Sequence, residues 1–109
     1  MTRILVVEDG TLLRAEMVEW LGFEGFDVEG AEDGLVALER IEQHTPDLII
    51  CDITMPRLDG YGLLLELQAN PATAQIPFIF VTARSAHEDI RHGMSAGADD
   101  YITKPFTRM

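Results

Sequence analysis

The chemistry-bearing residues of this chain stand where its apolar runs stop. Asp52 follows Leu48-Ile49-Ile50-Cys51 and precedes Ile53-Thr54-Met55-Pro56-Arg57-Leu58-Asp59-Gly60, so a carboxylate is held at the mouth of a buried strand, just before a turn. The run Ile4-Leu5-Val6-Val7 ends in Glu8-Asp9, and Phe78-Ile79-Phe80-Val81 ends in Thr82. A fourth, around Tyr101-Ile102, ends in Thr103-Lys104-Pro105. Three carboxylates, a hydroxyl and an ammonium converging at one sheet edge suit a divalent metal and a phosphoryl group. Mg²⁺ takes a few carboxylates plus waters. A carboxylate can act as nucleophile and form an aspartyl-phosphate. Phosphoryl transfer needs in-line positioning and charge neutralisation rather than elaborate covalent help. Glu8, Asp9 and Asp52 are the candidate Mg²⁺ ligands, Lys104 the second cation, and Thr82 a hydrogen-bond donor to a phosphoryl oxygen.

The elements that must carry these residues alternate between strand and helix patterns. Gly10 to Gly22 presents Leu13, Met17, Trp20 and Leu21 on one face, with Arg14, Glu16 and Glu19 away from it. A short polar strand surrounds Val28. Asp33 is placed to cap a helix running to about Gln43, with Ala37, Leu38 and Ile41 inward. Asp59 is placed to cap another, with Leu63, Leu64 and Leu67 inward, stopping near Asn70-Pro71 as proline demands. A fourth helix runs from about Ala86 to Ala96, with Ile90 and Met94 inward and Gly97 as the residue past its end.

This alternation predicts an α/β fold, a doubly wound five-stranded parallel sheet covered on both faces. The most apolar strands belong at the centre and the Val28 strand at an edge. With right-handed crossovers the order is 2-1-3-4-5, flavodoxin-like, and its switch point brings Glu8, Asp9 and Asp52 together. The first helix then lies alone on one sheet face, where one helix is too little cover. A fifth helix, absent or truncated here, is expected after Lys104-Pro105, with Phe106-Thr107-Arg108-Met109 as its start and the natural chain continuing past Met109. A chain ending at Met109 is expected to expose an apolar patch and self-associate, for instance as a homodimer.

Bulk composition narrows the classes. The 109 residues suffice for one domain, residues 1–109, with no linker or repeat. Eight basic against nineteen acidic residues give a net charge of −11, which opposes direct binding of nucleic acid or anionic membranes by this domain. One cysteine, Cys51, excludes an internal disulfide and fits a reducing compartment. With no membrane-length apolar run and no signal peptide in view, a cytoplasmic location is expected. His44, His87 and His92 lack metal-ligand spacing and read as surface residues. Asp99-Asp100 reads as cap and turn.

Taken together, the motifs resemble the receiver domain of two-component response regulators, along the whole chain. Glu8-Asp9 matches the family's acidic pair, and Asp52 with the residues up to Gly60 matches the phospho-accepting aspartate and the loop after it. Thr82-Ala83 matches the switch hydroxyl and its small neighbour, Tyr101 the switch aromatic, and Lys104-Pro105 the lysine with its cis-proline. The resemblance implies a further Mg²⁺ ligand in the Thr54 backbone carbonyl. It implies a sensor histidine kinase or phosphotransfer protein as partner and an output domain or protein beyond this one. It also implies self-catalysed phosphorylation and dephosphorylation, and a switch in which Thr82 moves towards the phosphoryl group and Tyr101 rotates into the vacated space. Thr54 and Arg84 occupy positions that tune the chemistry in that family.

Three rival readings meet specific obstacles. A Mg²⁺-dependent phosphatase with an aspartate nucleophile carries a second aspartate two residues on as acid/base, and Thr54 stands there instead. A flavin carrier shares the topology, but the carboxylates of Glu8-Asp9 would repel the flavin phosphate. A receiver-like binding module without phosphorylation would be expected to have lost at least one chemical position, and none is lost.

Overall fold

The computed structural model describes residues 1–84 and 86–104. Five parallel strands alternate with four helices: β1 (Arg3–Val7), α1 (Thr11–Phe23), β2 (Asp27–Ala31), α2 (Gly34–Gln43), β3 (Leu48–Cys51), α3 (Gly60–Gln68), β4 (Phe78–Thr82), α4 (His87–Ser95) and β5 (Asp100–Thr103). The sheet order is β2-β1-β3-β4-β5, as the apolar pattern and the crossover rule predict.

Register aligns the carboxyl ends of the strands. Val7 pairs with Cys51 and with Ala31, Cys51 pairs with Phe80, and Thr82 pairs with Thr103. The ladders run one step further: Asp52 N–H donates to Val7 O at 3.0 Å and Lys104 N–H to Thr82 O at 2.7 Å. Backbone pairing therefore sets the chemistry-bearing residues level with one another before any side chain is considered.

The sheet separates two apolar clusters. On one face Leu5, Val7, Ile49, Cys51, Phe78 and Phe80 meet the inner sides of α2 and α3. On the other, Ile4 and Val6 meet Met17, with Leu13, Val18 and Leu21 of α1 beside them. Cys51 is buried in the first cluster, on the side opposite Ile50, as strand alternation requires. Helices α2 and α3 begin where the caps were expected: Asp33 accepts from Val36 N–H and Asp59 from Gly62 N–H. Asp99 accepts from Phe78 N–H at 2.8 Å, tying the segment before β5 to the start of β4.

Two expectations about helix faces are corrected. In α4 the residue turned to the sheet is Gly93, which is buried, while Met94 is 43 % exposed. The cause is Tyr101, whose ring fills the notch: a Cβ on Gly93 would lie 2.7 Å from Tyr101 Cδ2. An apolar-periodicity reading favours the larger side chain and overlooks a glycine that makes room for an aromatic. In α1, Arg14 is not a solvated outer residue. Its methylenes lie beside Gly30, and its guanidinium donates to Glu8 O at 2.8 Å. A long stem covering apolar surface with a bonded head is ordinary for arginine.

On the α1 side, Met17, Trp20, Leu21, Ile50, Val81 and Ile102 line an apolar cavity of about 250 Å³. This is the face for which the apolar pattern predicts thin cover. The expected fifth-helix start, Phe106 to Met109, lies outside the described residues. No described helix is long and apolar enough to cross a membrane.

Candidate functional site

Glu8 and Asp52 are both nearly buried, 4 % and 9 % exposed, because each stands one residue past a central strand. Each of their four oxygens accepts one hydrogen bond. Glu8 Oε2 accepts from Gly10 N–H at 2.9 Å, and Asp52 Oδ1 from Ile53 N–H at 2.7 Å. The remaining oxygens face one cation: Lys104 Nζ donates to Glu8 Oε1 at 2.7 Å and to Asp52 Oδ2 at 3.0 Å. The chain is tight behind them, since a Cβ on Gly60 would overlap the Asp52 carbonyl oxygen.

Electrostatics follow from this arrangement. Burial pushes the Glu8 carboxyl above its ordinary value; the Lys104 and Gly10 hydrogen bonds pull the other way and the Asp52 charge adds to the rise. Burial pulls Lys104 down, but its bonds to Glu8 and Asp52 outweigh this and leave it raised. Lys104 is thus held as an ammonium between two carboxylates.

Asp9, exposed at the mouth, completes a metal-competent set. One oxygen each of Glu8, Asp9 and Asp52 lies within 4.8 Å of the others. All-oxygen donors with an open, solvent-facing side fit a hard divalent cation that keeps several waters. Residues from β1 and β3 thus meet at the switch point, as the sheet order predicts.

Thr82 is 2 % exposed at the end of β4, and its Oγ1 accepts from Arg84 N–H at 3.4 Å. The Arg84 guanidinium reaches back across the mouth and donates to Thr54 Oγ1, from Nε at 3.2 Å and from Nη2 at 2.9 Å. The Tyr101 hydroxyl donates to Arg84 O at 2.7 Å. Its ring packs on Phe80, with centroids 6.0 Å apart. Burial, with Tyr61 adding to it, moves the Tyr101 hydroxyl up to about 12, so it remains a neutral donor. Arg84 therefore ties Thr54, Thr82 and Tyr101 together. Its place two residues past Thr82 is visible in the sequence; its partners are not. The expected cis peptide at Pro105 falls outside the described residues.

Of the surface histidines, His92 is exposed yet lies against Tyr61, with ring centroids 4.3 Å apart.

A carboxyl-edge site with this donor set, on this sheet, is the arrangement of a signalling receiver. The response regulator receiver domain family matches residues 4–109, and the chain belongs to that family, the receiver domains of two-component systems. The chain is 40 % identical over 104 residues to Response regulator MprA of Mycobacterium sp. (strain KMS), covering 95 % of this chain and 44 % of that protein. It is 40 % identical over 102 residues to the Gliding motility regulatory protein of Myxococcus xanthus, covering 94 % of this chain and 13 % of that one. The chain thus spans less than half the length of these curated relatives. Among solved structures it resembles the signal receiver domain of a signal transduction histidine kinase from Syntrophus aciditrophicus, with TM-score 0.89 and 36 % identity over 98 % of this chain and 81 % of that one. It also resembles the Vibrio cholerae chemotaxis protein CheY4, with TM-score 0.92 and 28 % identity over 98 % of this chain and 89 % of that one.

Proposed function

We propose that residues 1–109 work as one receiver module in which Asp52 accepts a phosphoryl group from a sensor histidine kinase or phosphotransfer protein. The observation that carries this is the shared cation: Lys104 bridges Glu8 and Asp52 while Asp9 stands within ligand reach of both. Glu8, Asp9, Asp52 and the Thr54 backbone carbonyl would hold Mg²⁺, which when bound would supply positive charge to offset that of the phosphoryl oxygens. An Asp52 oxygen attacks phosphorus in line, the new O–P bond forms as the P–N bond of a phosphohistidine breaks, and the imidazole leaves. Lys104 turns from the carboxylate it bridges to a phosphoryl oxygen. Thr82 donates to another. Hydrolysis of the acyl phosphate returns Asp52. The domain is a signalling switch rather than a metabolic enzyme, working in the cytoplasm, with no contact of its own to nucleic acid or membrane.

The Mg²⁺ assignment is tested at Asp9, the one carboxylate ligand that Lys104 leaves unbonded. Asp9→Asn is expected to weaken Mg²⁺ binding by about tenfold or more and phosphoryl uptake with it, with the fold kept. Unchanged Mg²⁺ affinity by calorimetry would rule Asp9 out as a ligand.

The output runs through Thr82 and Tyr101. When Thr82 turns to a phosphoryl oxygen, its bond to Arg84 N–H is released, and the β4–α4 loop and Tyr101 move with it. Hydrogen exchange with and without a phosphoryl mimic is expected to differ most over residues 83 to 103. A response confined to residues 8–11 and 52–56 would mean that no switch is transmitted.

A further inference from the structure

The loop that carries Asp52 and Thr54 is bent at a residue that resists bending. Arg57 has φ 65, the one non-glycine at positive φ among the described residues. Leu58 N–H donates to Pro56 O across it at 2.8 Å, an i to i+2 bond that makes Arg57 the centre of a γ-turn. The positive-φ form of that turn is rare and strained, and a side chain with a Cβ disfavours it.

An ion pair offsets the strain. Arg57 Nε donates to Asp33 Oδ2 at 2.8 Å. Asp33 is the N-cap of α2 and accepts from Val36 N–H through its other oxygen. Its side chain is 5 % exposed against 55 % for Arg57, so a buried carboxylate on the neighbouring corner anchors an outer guanidinium. Burial pushes Asp33 up, but the Arg57 and Val36 bonds outweigh it and hold the carboxyl below its ordinary value. Beside the ion pair, Gly34 N–H donates to Leu58 O at 3.0 Å. The loop is closed again at its base, where Gly60 N–H donates to Ile53 O at 2.8 Å. Between these fixings lies Thr54.

We infer that Arg57 and Asp33 form a latch that sets the curvature of the 53–59 loop and so positions the Thr54 carbonyl and Asp52 for Mg²⁺. Arg57 touches neither metal nor phosphoryl group; it is a positioning residue, and it acts from the β2–α2 corner, a part of the fold outside the acidic site. The latch rests on the proposed Mg²⁺-dependent function. Groups that orient a metal's ligands from behind commonly alter affinity tenfold or more.

The test is Mg²⁺ calorimetry on the wild type, Arg57→Ala, Arg57→Gly and Asp33→Asn, at a temperature where circular dichroism shows each chelated protein folded. Arg57→Ala keeps the strained turn without its anchor and is expected to bind Mg²⁺ about tenfold more weakly. Arg57→Gly accepts positive φ at no steric penalty and is expected to recover most of that loss. A merely structural role would not produce this rescue. Asp33→Asn keeps the helix cap, since Asn caps as well as Asp, and is expected to weaken binding through the lost charge; it carries the test if Arg57→Ala does not fold. Affinity within about twofold of wild type in Arg57→Ala and Asp33→Asn, or a glycine variant as weak as alanine, would overturn the latch. A wild type that binds no Mg²⁺ would overturn the functional reading itself, and the latch with it.

Discussion

Replacing Asp52 by Asn is expected to abolish Mg²⁺-dependent phosphoryl uptake while leaving the sheet intact. The amide has no nucleophilic carboxylate oxygen to offer, and among the described carboxylates only Glu8 shares both the strand-end burial and the Lys104 contact of Asp52. The wild-type label should be lost to hydroxylamine, as an acyl phosphate is. Labelling of Asp52→Asn at the wild-type level would remove Asp52 from its role. The stability of this variant carries two opposed contributions, since it relieves repulsion with Glu8 but breaks one of the two Lys104 bonds. Asp9→Asn is the cleaner probe of charge crowding, and with chelator present it should melt no lower than wild type.

The second large effect is on stability. Lys104→Ala strips the cation from two nearly buried carboxylates. Removing one partner of a fully buried ion pair costs about 3–5 kcal/mol. Lys104 keeps 18 % of its side chain exposed, so about 2 kcal/mol is expected at neutral pH, measured by denaturant titration with chelator present. The pH dependence has a definite sign. Lys104 is raised in the fold, so its contribution is fully present below its ordinary value of 10.5 and is lost as pH climbs through the folded one. Glu8 is raised as well, so its penalty grows as pH rises from its ordinary 4.5 through the folded value, and Lys104→Ala enlarges that penalty. The gap between variant and wild type should therefore close in acid, where Glu8 is protonated. Excess Mg²⁺ should also narrow it, because an ion bound at the proposed site would supply charge to the same oxygens. An undiminished gap at acid pH would place the effect in packing rather than charge.

Strand order, helix faces and the acidic site were largely legible because each rests on short-range signals. Four apolar runs with polar ends, two capping aspartates and a proline stop are local facts, and the crossover rule does the rest. The details missed depend on tertiary partners. Gly93 turns inward because Tyr101 needs its space, and Arg14 stays at the sheet because Gly30 leaves room and Glu8 O accepts its bond. Arg57 and Asp33 are 24 positions apart, and Arg84 and Thr54 are 30 apart. No period of 2 or 3.6 residues marks such pairs. A bulky residue in the turn between Pro56 and Asp59 was the available hint that something must hold that turn.

The central claim, that Asp52 takes a phosphoryl group in a Mg²⁺-dependent step, is tested most directly by intact mass. Wild-type protein is incubated with a small acyl phosphate or phosphoramidate, with Mg²⁺ or with chelator. The expected result is a gain of one phosphoryl group with Mg²⁺, none with chelator, reversed by hydroxylamine and mapped to the peptide containing Asp52. No mass gain with Mg²⁺, or a stable gain on another residue, would contradict the account.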